Sequence, residues 1–213
     1  MQKRKNKSNM SKKSRLVIVG SLVFLLGAFM YIGKMWSDYN QVSQDKKKVD
    51  EFMNGQDETE IVEIDGEGNF FEEVKNDYDY VGVLEIPSID FMKGFHEYGN
   101  INNHVDKNLE VIEPSDMPNV VNSNLIIAAH SGTGSKAFFK NLHKVKVDDL
   151  VNVYYEGVIY VYKVVDIYEV DKTGEVEINR NGNNTTLTLI TCKPKDDTKQ
   201  IVVICELIDE VIG

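Results

Sequence analysis

Two residue types in this chain are placed to do covalent chemistry. His130 closes the nearly wholly apolar run Asn124–Ala129 (NLIIAA) and opens the turn Ser131-Gly132-Thr133-Gly134. A histidine at a buried strand's end, beside a glycine-rich turn, is set to line a cleft. Cys192 ends the run TTLTLIT and precedes Lys193-Pro194, where the chain must turn. A thiol at a strand's exposed end can meet a substrate, and Lys193 and Lys195 favour its thiolate. Together they are the minimum for thiol acyl transfer, with a thiolate as nucleophile and an imidazole to protonate the leaving amine. His96, His104 and His143 stand in polar contexts, and Cys205 lies inside the last apolar run, where it reads as a small core residue. A Cys192–Cys205 disulfide is the alternative use of the two sulfurs in an oxidising setting.

The elements that must hold these groups are mostly strands. Val81–Ile86 ends at Pro87, and Asn124–Ala129 reads as a strand buried on both faces. Leu150–Tyr155 and Val158–Tyr168 flank Glu156-Gly157, a hairpin signal. Thr185–Thr191 alternates Thr with Leu or Ile, and Ile201–Ile208 is a final strand. Only Lys136–His143 reads as a short helix. Six or more short strands with few helices predict a mostly-β barrel or sandwich.

Ahead of the strands the texture is different. Residues 1–15 hold seven Lys/Arg and no acid, whereas the other 198 positions hold 17 basic and 34 acidic residues. Leu16–Gly33 carries no charge over 18 residues. As a helix it reaches roughly 27 Å, close to the hydrocarbon thickness of a bilayer. Lys34 and Trp36 follow, as at a headgroup boundary. The expected organisation is a cytoplasmic basic tail (1–15), a transmembrane anchor (16–36), an external helix and acidic stalk (37–79) and a folded domain (80–213). The positive-inside rule sets that orientation. A cleaved signal peptide is the alternative, but no Ala-x-Ala-like site follows the apolar run. The net charge of −10 excludes a general nucleic-acid binder, and two cysteines exclude a four-thiolate zinc site.

The residues resemble the sortase family. Thr188-Leu189-Ile190-Thr191-Cys192 matches the motif Thr-Leu-x-Thr-Cys, and Ala129-His130-Ser131-Gly132-Thr133 is similar to the sortase histidine turn, 62 residues upstream of the cysteine. The resemblance extends to Gly82–Asp90, Phe138–Leu142 and the Asp148–Tyr162 hairpin, and covers about residues 80–208. It implies a closed eight-stranded sortase-like β-barrel with short helices behind one transmembrane helix, on a Gram-positive cell surface. It also implies a cysteine transpeptidase that cleaves a Leu-Pro-x-Thr-Gly-like sorting signal between Thr and Gly. The acyl group then passes from Cys192 to an amine of a peptidoglycan precursor or a pilin, with His130 as general acid/base. The partners implied are surface-protein precursors with C-terminal sorting signals. No cofactor is required. Calcium, used by some relatives, has no specific motif here, since Asp166, Glu169, Asp171, Glu175 and Glu177 read equally as a solvated loop. The chain ends at Gly213 just after the last strand, which favours a single-anchor type over pilus-assembling sortases with a second span.

One position departs from the family. Sortases place an arginine on the strand after the cysteine, to stabilise the oxyanion and orient the peptide, and here that position is Gln200. Gln donates a hydrogen bond without charge, and charge-assisted bonds are roughly twice as strong. Arg180, in the loop NRNGNN, is the one arginine beyond residue 15 and the alternative donor. The missing arginine keeps open a catalytically weak, sortase-like peptide-binding protein, and the same Cys and His with water as acceptor keep open a hydrolytic cell-wall cysteine peptidase.

Overall fold

The structure is a computed structural model that describes residues 12–55 and 80–212. Most of the basic tail and the acidic part of the expected stalk (56–79) lie outside the described residues. Two units are present, one ending at Gln44 and the other beginning at Asp45.

The first unit is helical. Helix α1 (Lys12–Gly55) carries an 18-residue window of mean hydropathy 2.4, none of it buried by the rest of the protein. Leu22, Phe24, Leu25, Phe29 and Met30 are all exposed. An apolar surface of this length on every side of a helix suits lipid rather than water, so α1 is a candidate membrane anchor.

The second unit is an eight-stranded sheet: β1 (Gly82–Ile86), β2 (Phe91–Phe95), β3 (Glu110–Val111), β4 (Asn124–Ala128), β5 (Leu150–Tyr155), β6 (Val158–Asp171), β7 (Thr186–Cys192) and β8 (Lys199–Ile212). Their order is β2-β1-β5-β6-β8-β7-β4-β3. A bridge between Phe95 and Leu109 joins the two edges, so the sheet is a nearly closed barrel. All pairs are antiparallel except β4 with β7. Alternation sorts the side chains: Leu125, Ile127, Ala129, Leu187, Leu189, Ile201, Val203 and Cys205 fill the interior. The expected hairpin forms as the sequence predicts, with Glu156 at φ 49° and Gly157 at φ 75° between β5 and β6.

Three local readings change. β6 and β8 run on to Asp171 and Ile212, because each pairs with the other along its whole length. β2 and β3 were not legible in the sequence. The FMKGF of β2 contains Gly94, over which the Tyr80 ring packs so closely that a Cβ would collide with it. The helix expected over Lys136–His143 does not form, and only a 3₁₀ turn appears at Leu142–Lys144. Phe139 and Leu142 are each 1% exposed, and the Phe139 amide donates to the His130 carbonyl at 3.0 Å. Anchoring to the barrel and to the preceding turn replaces the regular i→i−4 ladder.

The last turns of α1, from Asp45 on, belong to the barrel's unit. Val49 and Phe52 are buried with Tyr80 and Val83. Beside them the Lys93 ammonium donates to Asp45 at 2.6 Å and stands 4.4 Å from the Phe138 ring centroid. Burial pulls the Lys93 pKa down, and Asp45 partly offsets that. Removing the half-buried Asp45 leaves the buried Lys93 charge uncompensated, so Asp45→Asn should lower unfolding free energy by about 2 kcal/mol. Chemical denaturation checks this. Adding Lys93→Met should restore most of the loss, and a double variant no more stable than Asp45→Asn contradicts the account.

Candidate active site

The parallel pairing of β4 with β7 brings His130 and Cys192, the candidate acid/base and nucleophile, to one end of the barrel. Ala128 lies opposite Ile190, the Ala129 amide donates to the Ile190 carbonyl at 3.2 Å, and the Thr191 hydroxyl donates to the Ala129 carbonyl at 2.8 Å. The same register carried two residues on sets His130 beside Cys192, with neighbouring strands about 4.8 Å apart. Thr191 therefore has a task the motif alone did not reveal, which is to tie the histidine's strand to the cysteine's.

On the other side of Cys192 is β8, and the residue directly opposite is Gln200, which in turn faces Val170 of β6. Directly paired antiparallel residues share a face, with Cβ atoms about 5 Å apart. Val170, Gln200 and Cys192 thus form one row on the outer face. The next row, Glu169, Ile201 and Thr191, points to the opposite face. Cys192 is free and half-buried.

Arg180 is elsewhere. Its Nη1 donates to the carbonyls of Asn122, Ser123 and Asn184 and to the Thr186 hydroxyl, at 3.2–3.4 Å. Thr186 begins β7 and Cys192 ends it, so the guanidinium is held at the far end of the strand, roughly 20 Å away at 3.3 Å per residue. Of the two donors that the sequence leaves open, Arg180 or Gln200, Gln200 is the one paired with Cys192. The backbone contacts of Arg180 hold it at the wrong end of the barrel, as a clamp for the β6–β7 connection. Tyr168 is a second clamp, donating to the Glu177 carbonyl and accepting from the Asn179 amide, both at 2.8 Å.

The disulfide alternative also loses its geometry. Cys205 pairs with Leu187 and fills the barrel interior, whereas Cys192 pairs with Gln200 and faces outward. Both thiols are free, and burial pushes the Cys205 thiol far up, which makes it inert.

The lysines near Cys192 are differently employed than their sequence position suggests. Lys193 Nζ donates to Glu169 at 2.8 Å, and Lys199 Nζ stands 3.8 Å from the same carboxylate. Glu169 holds the Lys193 ammonium above its ordinary pKa, and the lysine's charge is compensated rather than turned on the thiol. Glu169 thus pairs with two lysines, and the Asp166 carboxylate accepts from the Ile167 amide. Among the described residues no three His, Cys, Asp or Glu side chains stand together as a metal site. His96 is buried, and His104 Nδ1 accepts the Asp106 amide at 3.1 Å.

A family model described as the sortase domain matches residues 84–208, which contain His130, Cys192 and Gln200. The chain belongs to the sortase family. The family's general activity, cysteine transpeptidation, comes with that membership. Among solved structures, this sortase is similar to a sortase D5 transpeptidase of Clostridium perfringens at 22% identity and TM-score 0.58, covering 78% of this chain and 99% of that one. It is also similar to sortase A of Listeria monocytogenes (27%, TM-score 0.51, 62% and 88%). A lid mutant of Corynebacterium diphtheriae sortase A gives 24% and TM-score 0.54, covering 61% and 70%. None of the curated proteins matches the chain in sequence.

Proposed function

We propose that this sortase is a membrane-anchored transpeptidase that cuts a Leu-Pro-x-Thr-Gly-like sorting signal between Thr and Gly and joins the new carboxyl end to an amine. The observation that carries this reading is the register placing His130, Cys192 and Gln200 at one end of adjacent strands β4, β7 and β8. The Cys192 thiolate attacks the Thr carbonyl, and the negative charge collects on its oxygen. The Gln200 side-chain amide donates a hydrogen bond to that oxygen. As the tetrahedral species collapses, the His130 imidazolium gives its proton to the departing glycine nitrogen, and a thioester remains on Cys192. An acceptor amine then attacks the thioester while His130 takes its proton back. The reaction so written uses only side chains of this chain and its two substrates.

The substrates proposed are surface-protein precursors bearing C-terminal sorting signals, and an amine on a peptidoglycan precursor or a pilin subunit. The seven basic residues in 1–15, read by the positive-inside rule, support a cytoplasmic tail and an external barrel, where both proposed substrates are found. Mixing the protein with a Leu-Pro-x-Thr-Gly peptide, with and without an amine, tests the function. A Cys192-linked acyl mass, resolved to an amide product, supports transpeptidation. Acid product alone in the presence of amine means a hydrolase, and peptide binding without cleavage means a binding protein.

A modular anchor gives a second expected result. A 37–213 fragment should remain folded and cleave peptide as the full chain does, because every strand among the described residues lies beyond Tyr80. Circular dichroism and the peptide assay check this, and a 37–213 fragment that does not fold contradicts it.

A further inference from the structure

The reaction above leaves one charged group over the histidine unused. Asp106 sits in the connection between β2 and β3, and that connection is held by many bonds for a surface loop. Asn103 both donates to the Val111 carbonyl and accepts from its amide, at 2.9 and 2.7 Å. Glu110 accepts the Val105 amide at 2.8 Å, and the Lys107 and Asn108 amides both donate to the His104 carbonyl. Asn108 and Leu109 are buried at the loop's end. The loop is therefore built to hold a fixed shape, and what it presents at residue 106 is a carboxylate.

That carboxylate faces nitrogens of His130 and Lys136, and of His104, whose Nδ1 accepts the Asp106 amide. Oδ1 lies 3.5 Å from His130 Nε2 and 3.5 Å from Lys136 Nζ, and Oδ2 lies 3.9 Å from His104 Nδ1. The His130 and Lys136 separations are ion-pair distances rather than short hydrogen bonds, so the coupling to them acts through charge. Lys136 chiefly holds the Asp106 carboxyl below the ordinary carboxylate range, which keeps it ionised at neutral pH. The other groups near this end are the Cys192 thiol across the β4–β7 pair and the Glu169, Lys193 and Lys199 cluster, which compensates itself on the opposite face.

We propose that Asp106 is a positioning residue for proton transfer. It faces His130 Nε2, favours the imidazolium that protonates the leaving amine, and leaves Nδ1 to carry that proton, with Lys136 competing for the same oxygen. The inference rests on the reading of His130 as the acid/base group. Its consequence is a sign that packing alone does not produce. A carboxylate near the ring favours its charged form, so removing it moves the alkaline limb of the pH–rate profile to lower pH. Removing Lys136 frees the carboxylate for the ring and moves that limb to higher pH.

The test is the pH dependence of kcat/KM for the full chain in detergent, using a fluorogenic Leu-Pro-x-Thr-Gly peptide. Asp106→Asn should lower kcat about five-fold with KM little changed and shift the alkaline limb down by about half a unit, as befits an exposed pair. Asp106→Glu, which keeps the charge, should restore the limb, and Lys136→Gln should shift it upward. Both shifts should shrink at high ionic strength. An unmoved limb in Asp106→Asn, or the same direction of shift in both variants, overturns the proposal. A wild-type thioester at Cys192 combined with an unmoved limb defeats this inference alone. Absence of any wild-type thioester defeats the functional reading and this inference with it.

Discussion

Cys192→Ala should abolish the acyl-enzyme, and His130→Ala should reduce its formation by several orders of magnitude, while both variants should keep the wild-type fold. The thiolate is the sole bond-forming atom proposed, so nothing replaces it. Losing the imidazole leaves the glycine amine to depart unprotonated, and groups that act as one unit fail together rather than additively. The structural cost of either change is small, since Cys192 is half-buried and the His130 side chain is 42% exposed. Cys205→Ala is the contrasting variant. That sulfur is wholly buried in the barrel interior, so its removal should cost stability through a small cavity and leave acylation nearly intact. Intact-mass spectrometry after peptide addition, paired with thermal unfolding, reads both quantities. Equal loss of acyl-enzyme from Cys192→Ala and Cys205→Ala would contradict the assignment.

Gln200→Ala should lower the acylation rate constant by about 10²–10³, the usual cost of one oxyanion donor. Gln200 is directly opposite Cys192 in the β7–β8 register, and Val170, which faces Gln200 from β6, has no donor. Gln200→Arg should accelerate acylation, because a guanidinium adds charge to the same hydrogen-bonding position. Arg180→Ala should leave the acylation rate nearly unchanged. It should instead make the connection between β6 and β7 more sensitive to protease, since it releases the contacts to Asn122, Ser123, Asn184 and Thr186. Single-turnover kinetics with limited proteolysis separates these outcomes. A strong rate loss from Arg180→Ala with none from Gln200→Ala would reverse the assignment.

Much of this protein was legible as local pattern. Strand runs, the Glu156-Gly157 turn and the apolar helix depend on side chains close in sequence, through alternation, positive φ and continuous hydrophobicity. The motif around Cys192 and the histidine turn named the family for the same reason, because both are contiguous. Position relative to other strands is not a local quantity. Arg180 is twelve residues from Cys192 in sequence, yet β7 runs straight between them and carries it to the opposite end of the barrel. The Lys136–His143 stretch has helical composition, but the burial of Phe139 and Leu142 decides its path. Asp106 is 24 residues from His130 and belongs to no motif, so only the closing of the sheet shows that they meet. Lys193 beside the cysteine reads as an activator until Glu169, from a strand two places away, neutralises it. The sequence alone determined which groups can do the chemistry and which face of each strand they occupy, since both follow from side-chain identity and a period of two. Which of them share an end of the barrel, and with what charge beside them, was decided by strand register, which is set by long-range pairing and by the packing of the interior.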